Sequence, residues 1–138
     1  MVDGDLVLKK LAYIETRVQE LKTLSRLEAL EADIREERFV VHTLQLAAQA
    51  AIDVASHIVS DDRLGEPRTN AELFELLHRA GWLGPELARS LRNLAGFRNI
   101  VVHGYEDVSL AIVRDIVRNH LPDLLEFSAT IGGRLGRR

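Results

Sequence analysis

The residues best suited to chemistry in this chain lie in one octapeptide, Arg98-Asn99-Ile100-Val101-Val102-His103-Gly104-Tyr105. Arg98 and His103 stand five residues apart, which on a continuous helix separates them by about 140° and aims them in different directions. Gly104 is expected to resolve this. A glycine just past the last turn adopts the left-handed conformation readily, so it would unwind the helix end and swing His103 back toward Arg98. The result is a guanidinium and an imidazole at one mouth. Such a pair suits metal-free cleavage of RNA, in which the 2'-hydroxyl attacks the adjacent phosphate and needs a proton acceptor and a cation to stabilise the crowded phosphoryl transition state. An imidazole, with an ordinary pKa of about 6.5, accepts or donates a proton near neutrality. A guanidinium presents forked donors that match two phosphate oxygens. Asn99 and Tyr105 add neutral donors that can orient a phosphate or a ribose.

Composition narrows the alternatives. With no cysteine among 138 residues, disulfides, thiolate zinc sites and thiol nucleophiles are excluded, and His, Arg, carboxylates or hydroxyls must carry any reaction. Apolar residues make up 46% and charged residues 28% of the chain, the balance of a globular protein. One domain over 1–138 is expected, with a loose basic tail over about 132–138. No apolar run approaches the roughly 20 residues that cross a bilayer. The acidic start Met1-Val2-Asp3-Gly4-Asp5 lacks the basic and apolar parts of a secretory signal. A cytoplasmic location without a membrane partner is therefore expected. The net charge of −3 is the reverse of a general polyanion binder, so any grip on RNA must come from arginines clustered at a local site. The tail Arg134-Leu135-Gly136-Arg137-Arg138 is read as a solvated end rather than an RNA-binding arm.

The elements that must position the octapeptide are all helical. Asp5 can cap a helix carrying Val7, Leu11, Ile14, Val18 and Leu21 at spacings of four and three. A longer pattern follows: Leu27, Ile34, Val41, Ala48 and Ala55 form one seven-residue series, and Leu30, Leu44, Ala51 and Ile58 form another that only Glu37 breaks. It predicts a helix from about Ser25 to Val59, roughly 50 Å long. A loop over Ser60 to Thr69 contains Gly65 and Pro67. Thr69 or Asn70 then caps a short helix that stops at Gly81, and Pro85 opens the helix that ends in the octapeptide. A last helix, capped by Asp107 or Ser109, contains Pro122, which predicts a kink or a fresh start. The expected fold is an all-α antiparallel bundle of about five helices with one long central helix.

The string Arg-Asn-x3-His-x-Tyr, at the end of the penultimate helix of an all-helical chain of this length, resembles the motif of the HepT family within the HEPN superfamily. The long helix is similar to that family through Arg38, Gln45, Ala48, Ile52, Asp53, Ser56 and His57, as is the stretch from Asn70 to Phe97 with Glu72-Leu73-Phe74 and Gly96-Phe97. The resemblance covers most of residues 5 to 130. It implies a HEPN-like domain and a metal-independent endoribonuclease toxin that works as a homodimer, the two motifs meeting in a shared cleft, with Arg98 and His103 catalytic. It further implies a cognate minimal nucleotidyltransferase antitoxin that silences the toxin by adding AMP to Tyr105. The other reading left open by the residues is a non-catalytic helical dimer that binds a nucleotidyltransferase or a nucleotide.

Other candidates receive plainer readings. Asp53 and His57 sit one helical turn apart and are expected to form a buried, satisfied pair that fixes packing rather than a second catalytic dyad. His42, His78 and His120 lack partners at metal-ligand spacing, so no metal and no cofactor are expected. Glu37 and Arg38 interrupt the heptad seam either as a solvated patch or as lining of a dimer cleft, where Arg38 would add positive potential. Trp82 is read as a core plug rather than a platform for a base.

Overall fold

Residues 2–136 are described by a computed structural model, and its helices form where apolar residues recur at helical spacing. α1 (Gly4–Leu24) buries Val7, Leu11, Ile14, Val18 and Leu21 along one stripe. Its cap is Asp3, not Asp5: the Asp3 carboxylate accepts the Leu6 amide at 3.2 Å, which leaves Asp5 inside the first turn.

The long helix is shorter than the heptads predict. A short 3-10 turn (Leu27–Ala29) separates α1 from α2 (Ile34–Asp61), whose 28 residues span about 42 Å. Local polar bonds break the pattern. The Asp33 carboxylate accepts the Arg35 amide at 2.9 Å, and Glu36 accepts the Arg26 amide at 2.6 Å, so a new helix start outcompetes continuation. Arg114 holds the same turn from far along the chain, donating to the Leu27 carbonyl at 3.1 Å and to Glu31 at 2.5 Å. That bond holds the Glu31 carboxyl below its usual range. From Val41 onward both heptad series are buried, whereas Ile34 is 62% exposed. The alanines Ala47, Ala48, Ala50, Ala51 and Ala55 are all buried, which allows neighbouring helices to approach closely.

Thr69 caps α3 (Asn70–Arg79), accepting the Glu72 amide at 3.1 Å, and α4 (Pro85–His103) begins on Pro85. Gly81, with φ of +83°, makes the turn between them. Trp82 is 7% exposed and plugs this corner. The guanidinium of Arg134 lies 4.0 Å above its ring and donates to the Gly81 carbonyl at 3.0 Å. Ser109 caps α5 (Leu110–Asp115), which passes through a π segment (Ile116–His120) into α6 (Leu121–Arg134). Pro122 explains the irregularity, since its ring and missing N–H cannot be fitted into a regular α turn. α6 continues through Gly132 and Gly133, so those glycines are helical rather than part of a loose tail, and Arg137 and Arg138 lie outside the described residues.

α2 lies in the middle of the bundle and touches α1, α3, α4 and α6, while α1 packs on α6 and α3 on α4. There is no strand among the described residues, and no helix is long and apolar enough to cross a membrane. Phe74 of α3 and Phe127 of α6 meet edge to face with centroids 6.0 Å apart, and both are essentially buried. Phe74→Ala should therefore cost about 3–5 kcal/mol, a loss characteristic of a buried aromatic that leaves a cavity. Denaturant unfolding checks this, and a loss below about 1 kcal/mol would mean that the two rings do not anchor α3 to α6.

Candidate active site

Burial decides which parts of the octapeptide are available. α4 buries Leu87, Ala88, Leu91, Leu94, Ala95, Phe97 and Val101, which leaves Ile100, Val102 and His103 exposed and Arg98 and Asn99 half-buried. The helix stays regular through His103. Gly104 has φ of −165° and ψ of 84°, an extended conformation, so the expected left-handed unwinding does not occur. The Gly104 amide instead closes the last turn on the Ile100 carbonyl at 2.8 Å. The Asp107 carboxylate closes over the glycine: a Cβ at 104 would lie 2.8 Å from the Asp107 Oδ2, so a larger residue there would displace that side chain.

Because α4 stays helical, His103 faces the same way as Asn99, one turn earlier. The two line an open groove of about 350 Å³ together with Ile100, Gly104 and Asp107. Arg98 does not line this groove and reaches it through its neighbour. Its Nη1 donates to the Asn99 Oδ1 at 3.3 Å, and the same oxygen accepts Asn70 Nδ2 at 3.4 Å, which ties the start of α3 to the end of α4. The Arg98 Nε is buried without a partner. Among the described residues no hydrogen bond joins Arg98 to His103. The guanidinium and the imidazole are thus brought to one region of the surface with Asn99 between them.

Tyr105 begins a 3-10 turn (Tyr105–Asp107) directly after the glycine. The Arg38 guanidinium of α2 stacks over its ring at 4.4 Å. Burial raises the pKa of the phenol, the Glu37 carboxylate raises it further, and Arg38 opposes both. The interruption of the heptad seam thus places Glu37 and Arg38 beside the motif. They are not merely a solvated patch.

Asp53 and His57 do not pair. Asp53 accepts Gln49 Nε2 at 2.8 Å and pairs with Lys10 at 3.4 Å, whereas the His57 Nε2 lies 3.2 Å from Asp61 and 3.2 Å from the Asp3 amide. Each residue has a closer partner on a neighbouring turn or helix, and neither is buried. His78 bonds the Leu83 carbonyl at 2.9 Å, and His120 sits between Asp115 and Asp123. Among the described residues no group of three or more His, Asp or Glu is arranged to hold a metal ion. Sequence reasoning missed two residues of the site. Asn70 looks only like a helix start, and Asp107 looks only like an alternative cap.

A family model described as ribonuclease HepT-like matches residues 11–131. The chain is 30% identical over 125 residues to the mRNA nuclease HepT of Shewanella oneidensis, covering 90% of this chain and 94% of that protein. It is 36% identical over 104 residues to the tRNA nuclease HepT of Aphanizomenon flos-aquae, covering 69% and 71%. Among solved structures, it superposes with a TM-score of 0.85 and 29% identity on a tri-AMPylated HEPN toxin of Shewanella oneidensis in complex with an MNT antitoxin, covering 96% of this chain and 99% of that one. A toxin–antitoxin crystal structure with AMP-PNP gives a TM-score of 0.87 at 28% identity, covering 94% and 98%. The matched region contains α2 to α5, most of α1 and α6, and the whole octapeptide, and the chain belongs to the HepT-like ribonuclease family.

Proposed function

We propose that this protein is a metal-independent endoribonuclease toxin of a toxin–antitoxin pair, with His103 as proton acceptor and Arg98 as phosphate-binding cation. The observation that carries this reading is the shared exposure of Asn99 and His103 on one groove, with Arg98 bonded to the Asn99 amide at its edge. Two nuclease relatives, aligned over 90% and 69% of the chain, support it.

In this mechanism His103 takes the proton of the 2'-hydroxyl as the 2'-oxygen forms a bond to phosphorus. The bond to the 5'-oxygen breaks, that oxygen takes a proton from water as it leaves, and the upstream fragment retains a 2',3'-cyclic phosphate. Arg98 neutralises the phosphoryl oxygens while Asn99 holds the guanidinium toward the groove. A single chain supplies one arginine and one histidine beside an exposed apolar rim. Ile100 and Val102 are each 46% exposed at the motif itself, apolar surface that suits a second copy of the chain and a cleft shared by two motifs.

Tyr105 is the acceptor for AMP from a minimal nucleotidyltransferase antitoxin in this reading, and the AMP-modified HEPN toxin similar to this chain supports it. A bulky anion two residues from His103 would fill the groove and repel RNA. The active protein requires neither metal nor cofactor, and its place of action is the cytoplasm.

Incubation with RNA in excess EDTA tests the catalytic assignment. Wild-type protein should cut and leave cyclic phosphate ends, while His103→Ala and Arg98→Ala should each lower the rate by about 100-fold or more. Cutting by His103→Ala at the wild-type rate would remove that residue from the mechanism, and intact RNA with all three proteins would favour a non-catalytic binder. Co-expression with the antitoxin should raise the protein's mass in AMP-sized steps that Tyr105→Phe abolishes. The phenol offers a third measurement. In a Tyr13→Phe background, the ultraviolet phenolate transition should have its midpoint above the ordinary value of about 10. Glu37→Gln should move it down, because a neighbouring negative charge opposes ionisation. A midpoint at or below the ordinary value would show that the Tyr105 ring is not covered in solution.

A further inference from the structure

From the His103 groove a continuous trough runs back along α4. The groove shares Ile100 and Asp107 with a middle section, which in turn shares Asn93, Phe97 and Ile112 with an end cavity of about 210 Å³ between α4 and the π segment. Asn93 and His103 are ten residues apart on one helix, roughly 15 Å along its axis. None of the catalytic chemistry above uses this cavity.

Its lining is that of a binding pocket rather than a packing defect. Phe97 and Ile112 form apolar walls, and five polar side chains, Ser90, Asn93, Asp115, His120 and Asp123, line the same space. The Asp123 carboxylate is held firmly: its Oδ2 accepts the Ser90 hydroxyl and lies 3.0 Å from the His120 Nδ1. Asp115 secures the other side of the imidazole at 3.3 Å. These bonds leave the Asp123 Oδ1 as a fixed acceptor. The Asn93 amide has no partner among the described residues, so both its donor and its acceptor are free.

Charge decides what fits. Asp115 and Asp123 line the end cavity, where their carboxylates repel phosphate and favour a neutral ring with an N–H to donate, while Arg92 in the middle section is already paired with Glu75. A carboxylate accepts the amino group of cytosine, and an amide pairs with the amino edge of adenine. Uracil would instead point a carbonyl at the carboxylate. Single-stranded RNA is read through splayed bases that stack on apolar or aromatic walls and bond through their edges.

We propose that this cavity is a base pocket for the same reaction, taking one unpaired nucleobase with an exocyclic amine from the strand whose phosphodiester lies at His103. The pocket rests on the ribonuclease reading for its strand, but its test does not depend on cleavage. His103→Ala protein is titrated with short labelled single-stranded RNAs made only of A, only of C or only of U, and binding is followed by fluorescence anisotropy. The A and C strands should bind about tenfold more tightly than U, the discrimination expected of one good base-edge pair. Adding Asn93→Ala, or separately Asp123→Asn, should bring the three affinities together while thermal unfolding shows each variant still folded. Equal affinities before the pocket is altered, selectivity that survives both substitutions, or no measurable binding of any strand would overturn the proposal. So would an Asn93→Ala protein that changes oligomeric state and keeps its selectivity, since the cavity would then be a contact between copies. Selective binding by a wild-type protein that leaves RNA intact would instead remove the nuclease reading and keep the pocket.

Discussion

Burying Leu94, Phe97 and Val101 fixes the rotation of α4, and that rotation decides which side chains of the octapeptide reach solvent together. Asn99 and His103 emerge on one side because Phe97 and Val101 must point inward and the two are one helical turn apart. Arg98, one position earlier, cannot share that side by helical geometry alone. Its guanidinium is retained by a bond to a neighbouring amide, and the same amide oxygen also receives Asn70 from another helix. One acceptor thus positions the cation and sets where α3 meets α4. A site built this way anchors the cation to the same residue that joins α3 to α4.

The second structural device is the reach of α2 to the motif. Arg38 covers the Tyr105 ring from a helix more than sixty residues earlier in the chain. The phenol is consequently shielded and disposed to keep its proton. A hydroxyl in this state is a poor nucleophile, so an enzyme that modifies it must displace the arginine, supply a base, or both. A phosphate placed on this hydroxyl would bring negative charge to the place where the Arg38 cation is stacked.

Much of this was legible in the residues. The apolar stripe of α1, the Thr69 cap, Pro85 at a helix start and the all-α class follow from spacing and capping chemistry, which act over a few residues. The octapeptide was equally visible, since its residue types are unusual together. What failed were inferences that depended on competition between neighbours. The heptads could not reveal that Asp33 and Glu36 would stop the long helix, because the pattern continues across the break. The glycine at 104 suggested a left-handed turn, whereas its backbone is extended and the Asp107 carboxylate lies close against it. Asp53 and His57 look like partners one turn apart until Lys10, Gln49 and the Asp3 amide arrive from elsewhere. The role of Asn70 had no local signal at all.

The π segment at Ile116–His120 sets how the last helix is aimed. Each residue of an α-helix turns the following chain by about 100°. A wide turn takes up one residue more than an α turn, so the chain carries an extra residue there without turning Phe127 and Ile131 off the face that meets the core. The irregular turn is therefore a register device: a single deletion within it restores a regular turn and leaves the apolar pattern of α6 in place, whereas the same deletion one turn later rotates that pattern away from the core.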